Sequence, residues 1–184
     1  MRTFAALAAV ALGTLTGAAR TAADDKKGTV VEFAGMKATT PADWKEETPS
    51  NTMRVHQFKL PKADGDKDDA ELALFFFKGG SGTLEQNLKR QTAKFQPAAG
   101  KDKVGEKTEK IKVGGADATL QDVSGTFIKK PFPMAQTGTP MPGYRQLYVV
   151  FETTDGQYYM TLLGPEKTVE KHKKEFEDWL KSFK

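Results

Sequence analysis

The stretch that decides the fold is Tyr144–Pro165, YRQLYVVFETTDGQYYMTLLGP, followed without interruption by Glu166 to Lys184. Tyr144 to Thr153 and Tyr158 to Leu163 are rich in aromatic and β-branched residues, a composition that fits a pleated surface. Between them, Thr154-Asp155-Gly156-Gln157 contains the Asp-Gly pair that supplies positive φ angles to a tight hairpin turn. Both runs are nearly continuous in apolar character, so the hairpin is expected to be covered on both faces. Gly164-Pro165-Glu166 then predicts a strand end and a helix start, with Pro in the first turn and Glu at the positive end of the helix dipole.

From Glu166 to about Phe183 the apolar residues follow the 3.6-residue period. Val169, Phe176, Trp179, Leu180 and Phe183 form one stripe, while Lys167, Lys171, Lys174, Glu177 and Lys181 fall elsewhere. Such a stripe is the face that packs on a sheet. His172 lies on its inner half, and no His, Asp or Cys follows at i+4 to make a metal pair.

The other end of the chain reads as an export signal. Met1-Arg2 is a short basic start and Phe4 to Leu15 an apolar run too short to span a bilayer. Small residues follow through Ala23, and cleavage there is favoured over Ala19 because Asp24-Asp25-Lys26-Lys27 begins a polar leader. The expected organisation is a signal peptide over 1–23, a disordered leader over 24–28 and one domain over 29–184. The protein is therefore expected in the periplasm or secreted, with no membrane span after cleavage.

The chain has no cysteine, which excludes thiolate catalysis, iron–sulfur clusters and Cys-zinc sites and leaves packing alone to hold the fold. Removing Arg2 and Arg20 with the signal lowers the net charge from +4 to +2, since every acidic residue stays. That balance, with lysines and acids alternating along the chain, gives no footprint for nucleic acid.

In chain order, Thr29 to Phe33 and Met36 to Thr39 predict a hairpin about Ala34-Gly35, at a sheet edge. Pro41-Ala42-Asp43-Trp44 is a turn whose Trp anchors it over the core. Met53 to Leu60 and Ala70 to Phe77 read as strands, the second central. Thr83 and Gln86 make a capping box for a helix running to about Gln96, with Leu84, Leu88 and Phe95 on its buried stripe. Ala98 to Lys107 is a polar loop. Thr108 to Val113 and Ala116 to Ile128 are strands, with a bulge or bend at Gly125. Lys129 to Gly143 carries Pro131, Pro133, Pro140 and Pro142 and reads as a loop. The class is α+β: a central antiparallel β-sheet flanked by helices, an α/β/α sandwich.

Four segments invite functional readings. Asp64-Gly65-Asp66-Lys67-Asp68-Asp69 alternates carboxylates as a calcium loop does, yet the EF-hand pattern would put Gly at 69 and Glu at 75, where the chain has Asp69 and Phe75. A solvated hairpin tip and a weak divalent site are both open. Gly79-Gly80-Ser81-Gly82 precedes a helix but lacks the Lys of a phosphate cradle, and a flexible turn is expected. His56 and His172 are the only histidines and carry no triad signature. Phe132, Met134, Met141 and Tyr144 are large apolar residues in the proline-rich segment. They either fold down as a lid on the sheet or stand exposed and bind a partner.

Pro41-x-x-Trp44 after an N-terminal hairpin, the helix start Thr83-Leu84-Glu85, the Gly164-Pro165 break and the closing Ser182-Phe183 together resemble the PsbP-like fold family. That family includes the extrinsic PsbP protein of photosystem II and a Ran-binding nuclear transport factor. The resemblance implies a central antiparallel sheet between helices and a non-catalytic accessory or binding role. No residues match the family's photosystem-docking or Ran-binding positions, so neither partner is carried over.

The expected function is thus a non-enzymatic, exported accessory or binding protein, a monomer meeting an envelope protein, with no cofactor, metal or catalytic residue assigned. The alternative is a binder of a small molecule or divalent metal, with a pocket under the 129–143 segment.

Overall fold

A computed structural model describes residues 27–132 and 134–184. The predicted signal peptide and residues 24–26 of the leader lie outside the described residues, as does Pro133.

The hairpin that anchors the sequence reading lies in the middle of an eight-stranded antiparallel sheet. Strand β9 (Thr139–Thr153) pairs with β10 (Gly156–Pro165), and β5 (Ala70–Lys78) flanks β10 on its other side. Beyond β5 come β4 (Arg54–Leu60) and the two-residue edge strand β3 (Lys45–Glu46). Beyond β9 lies β8 (Ala116–Lys129), whose outer edge is shared by β7 (Gly105–Val113) and β6 (Phe95–Gln96). The turn between β9 and β10 is Thr154-Asp155, and the positive φ falls on Gly156 (154°) rather than on Asp155.

Alternation along the strands gives the two faces their separate cores. Leu147, Val149 and Phe151 point to one side with Leu72, Leu74, Met160 and Leu162, all buried under helix α2 (Glu166–Ser182). Val169, Phe176, Trp179, Leu180 and Phe183 are the helical half of that core, as their spacing predicts. Tyr148, Val150 and Tyr159 point to the opposite side, where Leu84 and Leu88 of helix α1 (Leu84–Thr92) cover them. The result is the expected α/β/α sandwich. No helix among the described residues is long and apolar enough to cross a membrane.

The N-terminal hairpin, β1 (Val30–Phe33) and β2 (Met36–Thr39), forms where expected but not at a sheet edge. It is a separate ribbon on the α2 side, because Val31, Phe33 and Ala38 have a core face to fill. Phe33 meets Phe151 and Tyr158 edge-on at 5.7 and 4.6 Å, covering sheet that α2 does not reach. Lys37 and Lys184 exchange backbone hydrogen bonds of 2.8 and 3.1 Å, tying the ribbon to the end of the chain. Trp44 is buried against Trp179 at 5.6 Å, the anchor expected of it.

Helix α1 and strand β7 differ in their bounds from the sequence reading. Helix α1 ends at Thr92, and Phe95 sits in β6 rather than on a helical stripe. Gln96 precedes Pro97, whose ring disfavours helical backbone in the residue before it, and extended backbone lets Phe95 pack on Phe127 at 5.4 Å. Strand β7 begins at Gly105, inside the segment read as polar loop.

Candidate partner-binding surface

The proline-rich segment is shorter as a loop than expected. Strand β8 runs through Lys129 and β9 starts at Thr139, pairing Ile128 with Pro140 and Phe127 with Met141. Prolines are excluded from central strands because they have no N–H to donate. Here β9 pairs with β10 only from Tyr144 onward, so over 139–143 its other edge is open. Pro140 and Pro142 are two apart and present their nitrogens to the same edge, so both are tolerated there.

The four apolar residues of this segment divide into two pairs. Phe132 and Met134, at the hairpin tip, are 60% and 81% exposed. Met141 and Tyr144 are half-buried at the hairpin base. The Tyr144 ring stacks on Phe127 at 6.1 Å, and its hydroxyl donates to Asp68 at 2.9 Å. Neither the lid reading nor the exposed reading holds for all four.

Met141 and Tyr144 stand between two grooves. One, of about 520 Å³, is lined by Phe127 and Leu163 and by charges of both signs, Lys59, Lys62, Lys67 and Lys129 with Asp68, Asp69 and Glu71. The other, of about 500 Å³, runs from Gly65–Asp68 to the first turn of α2. Burial and the neighbouring Asp68 carboxylate push the Tyr144 phenol up to about 12, so it stays a neutral hydrogen-bond donor.

The acidic loop beside these grooves is a clamp. Asp66 accepts the Thr168 backbone N–H and its hydroxyl, and that hydroxyl accepts the Ala63 N–H at 3.0 Å. Asp69 accepts the Lys62 N–H at 2.9 Å, and Asp68 holds Tyr144. Three of its carboxylates accept from protein donors while most of the loop, Asp64, Gly65 and Lys67–Asp69, stands exposed to solvent. The Gly79–Gly82 turn is likewise tied down: Ser81 N–H donates to Gln157 at 2.8 Å, and its hydroxyl meets Tyr159 at 2.8 Å.

Among the described residues neither histidine hydrogen-bonds a serine. His56 faces Glu46 at 3.2 Å and the Glu32 carbonyl at 3.4 Å. His172 is fully buried, between the Pro61 carbonyl and Glu175. Sequence spacing hides this pairing with Pro61, which is 111 residues away in the chain. Glu175 was within reach of it, since i+3 residues share a helix face.

No protein-family model matches the chain, and no curated protein matches it in sequence. Solved structures do match in fold. The solution structure of PsbP from the cyanobacterium Synechocystis shares 13% identity at a TM-score of 0.53, over 94% of this chain and 98% of that one. A Pseudomonas aeruginosa protein of unknown function shares 16% identity at a TM-score of 0.47, over 84% of this chain and 94% of that one.

Proposed function

We propose that this chain, whose fold is PsbP-like, is an exported, non-catalytic accessory protein that binds a partner protein in the cell envelope through the β8–β9 hairpin. The observation that carries the reading is the exposure of Phe132 and Met134 at the tip of the two longest strands. Large apolar side chains held out on a braced hairpin lose water-exposed area only when something covers them. Export is supported by the charge, apolar run and small residues of 1–23.

The test is a crosslinking pull-down from the native envelope with the wild-type chain and a Phe132→Ser/Met134→Ser variant. One partner recovered with the wild type and lost with the folded variant is the expected result. Equal recovery by both removes the hairpin tip from the reading.

A second reading rests on the groove beside Phe127 and Tyr144, whose aromatic surface and charges of both signs suit a small polar ligand with an apolar body. It predicts that such a ligand raises the melting temperature, as anything that binds only the native state does. Flat melting curves across a panel of aryl and alkyl amines, carboxylates and phosphates count against it.

A further inference from the structure

The two ring nitrogens of His172 meet different chemistry. Nε2 lies 2.8 Å from the Pro61 carbonyl oxygen. A carbonyl only accepts, so Nε2 carries a hydrogen, and in the neutral ring Nδ1 then holds a lone pair. That lone pair faces Glu175 Oε2 at 3.2 Å. A carboxylate oxygen of Asp43 completes the group, with all three ligand atoms within 4.8 Å of one another. A lone pair facing one carboxylate oxygen, with a second carboxylate close by, is an arrangement that a bound metal ion would relieve.

We infer that Asp43, His172 and Glu175 form a binding site for a divalent transition-metal ion of the zinc type. Ligands at about 2.0–2.1 Å around a tetrahedral zinc ion are separated by about 3.3 Å, and the His172–Glu175 edge already has that length. The imidazole is aimed and its tautomer fixed by a hydrogen bond from the far nitrogen to a backbone carbonyl, the usual support for a metal-bound histidine. One imidazole with two carboxylates suits zinc and its neighbours, whereas calcium and magnesium prefer oxygen alone.

The surroundings fit the same chemistry. His172 is fully buried, but Asp43 and Glu175 are exposed, so an ion enters from solvent and finds two side chains free to close on it. Among the described residues neither carboxylate has another hydrogen-bond or ion-pair partner. The site joins the Pro41–Trp44 turn to α2, with the Trp44 ring edge-on to His172 at 6.4 Å. Bound metal would pin the turn that leads from the N-terminal ribbon into the sheet. His56 differs: its one carboxylate neighbour is Glu46, and its other nitrogen has only a long contact.

The experiment titrates the chelator-treated full chain with Zn²⁺ by calorimetry near neutral pH, alongside Glu175→Gln, Asp43→Asn and His56→Asn. Both carboxylates are exposed, so these variants keep the fold, which circular dichroism checks. One ion per wild-type chain is expected, with affinity lowered about tenfold or more in Glu175→Gln and Asp43→Asn and unchanged in His56→Asn. The His172 Nδ1 resonance of the wild type should shift on saturation. The inference is overturned if the wild type retains no zinc, if the two carboxylate variants bind as tightly as the wild type, or if only His56→Asn weakens binding.

Discussion

The carboxylate of Asp66 accepts both the backbone N–H of Thr168, at 2.9 Å, and its hydroxyl, at 2.7 Å. Thr168 is the third residue of α2, whose N-cap, Pro165, has no side-chain hydrogen bond to offer. A residue from the β4–β5 loop thus performs the capping that the local sequence cannot, and its charge sits at the positive end of the helix dipole. Asp66→Ala is expected to lower stability by about 1–2 kcal/mol in urea unfolding, with Asp64→Asn unchanged.

Arg145 links sheet and helix. Its Nε and Nη2 donate to the two oxygens of Asp122 at 2.7 and 2.6 Å, and Nη1 donates to Glu170 of α2 at 2.5 Å. Lysine cannot reproduce that planar fork, so Arg145→Lys should cost about 1–2 kcal/mol although the charge is kept.

Asp122 gives the same cluster a pH signature. Burial opposes its charge, but Arg145 and Lys173 outweigh that and hold the carboxyl below its ordinary value of 3.8. A depressed folded-state value means stability present above 3.8 and lost as pH falls through the lowered value. The stability gap between wild type and Asp122→Asn should therefore be constant near neutral pH and shrink only as pH falls below 3.8. A gap that persists in acid would assign the effect to packing.

Much of this architecture was legible because it is local. The α2 stripe, the Thr83–Gln86 capping box, the Gly125 bulge and the central hairpin each follow from residues within one or two turns or pairs. What escaped depends on distant partners. Pro140 and Pro142 read as loop because nothing in their neighbourhood says that β10 stops at Tyr144 and leaves an open edge. Phe95 continued the helical period, and only the restriction that Pro97 places on Gln96 argued otherwise. Asp66 and His172 looked like free carboxylate and lone imidazole, because their partners lie more than a hundred residues away. Of the proposed surface, sequence picked the residues but not their division into an exposed tip and a packed base.

Tyr144 should titrate abnormally. Its phenol is pushed up to about 12, first by burial and then by the hydrogen bond to Asp68. A raised folded-state value favours the neutral form, so its contribution is complete below the ordinary value of 10.0 and fades as pH rises toward about 12. Burial raises Tyr148 and Tyr158 too, so the Tyr144 component of an ultraviolet titration is the late phenol lost in Tyr144→Phe. Asp68→Asn should bring it down only partly, because burial is the larger cause.

Binding and folding should separate at the hairpin tip. Phe132 and Met134 are mostly exposed, and surface substitutions away from caps and cores usually stay within about 0.5 kcal/mol. Phe132→Ser/Met134→Ser should therefore unfold in urea as the wild type does while losing the partner. Phe176→Ala, at a fully buried position of the α2 core, should cost about 3–5 kcal/mol. A tip variant as destabilised as that one would mean that the tip is packed in solution.

Gly125 controls how β8 reaches that tip. The register with β9 shifts between Gly125 and Phe127, and the same residue marks the handover of β8's outer edge from β7 to β6. A methyl at this position would lie 2.4 Å from the Gln96 carbonyl oxygen, on a backbone with φ of 156°. Backbone cannot swing aside as a side chain can, so the strands must separate. Gly125→Ala should cost about 1–3 kcal/mol, the range of overpacking and backbone strain. The loss should be local first. The Ile128 N–H, which donates to the Lys94 carbonyl at 2.8 Å next to β6, should exchange with solvent faster in the variant. Val150, deep in the β8–β9 pairing, should change only as much as global stability does. Equal loss of protection at both sites would show that the bulge supports the whole sheet rather than the arm that carries Phe132 and Met134.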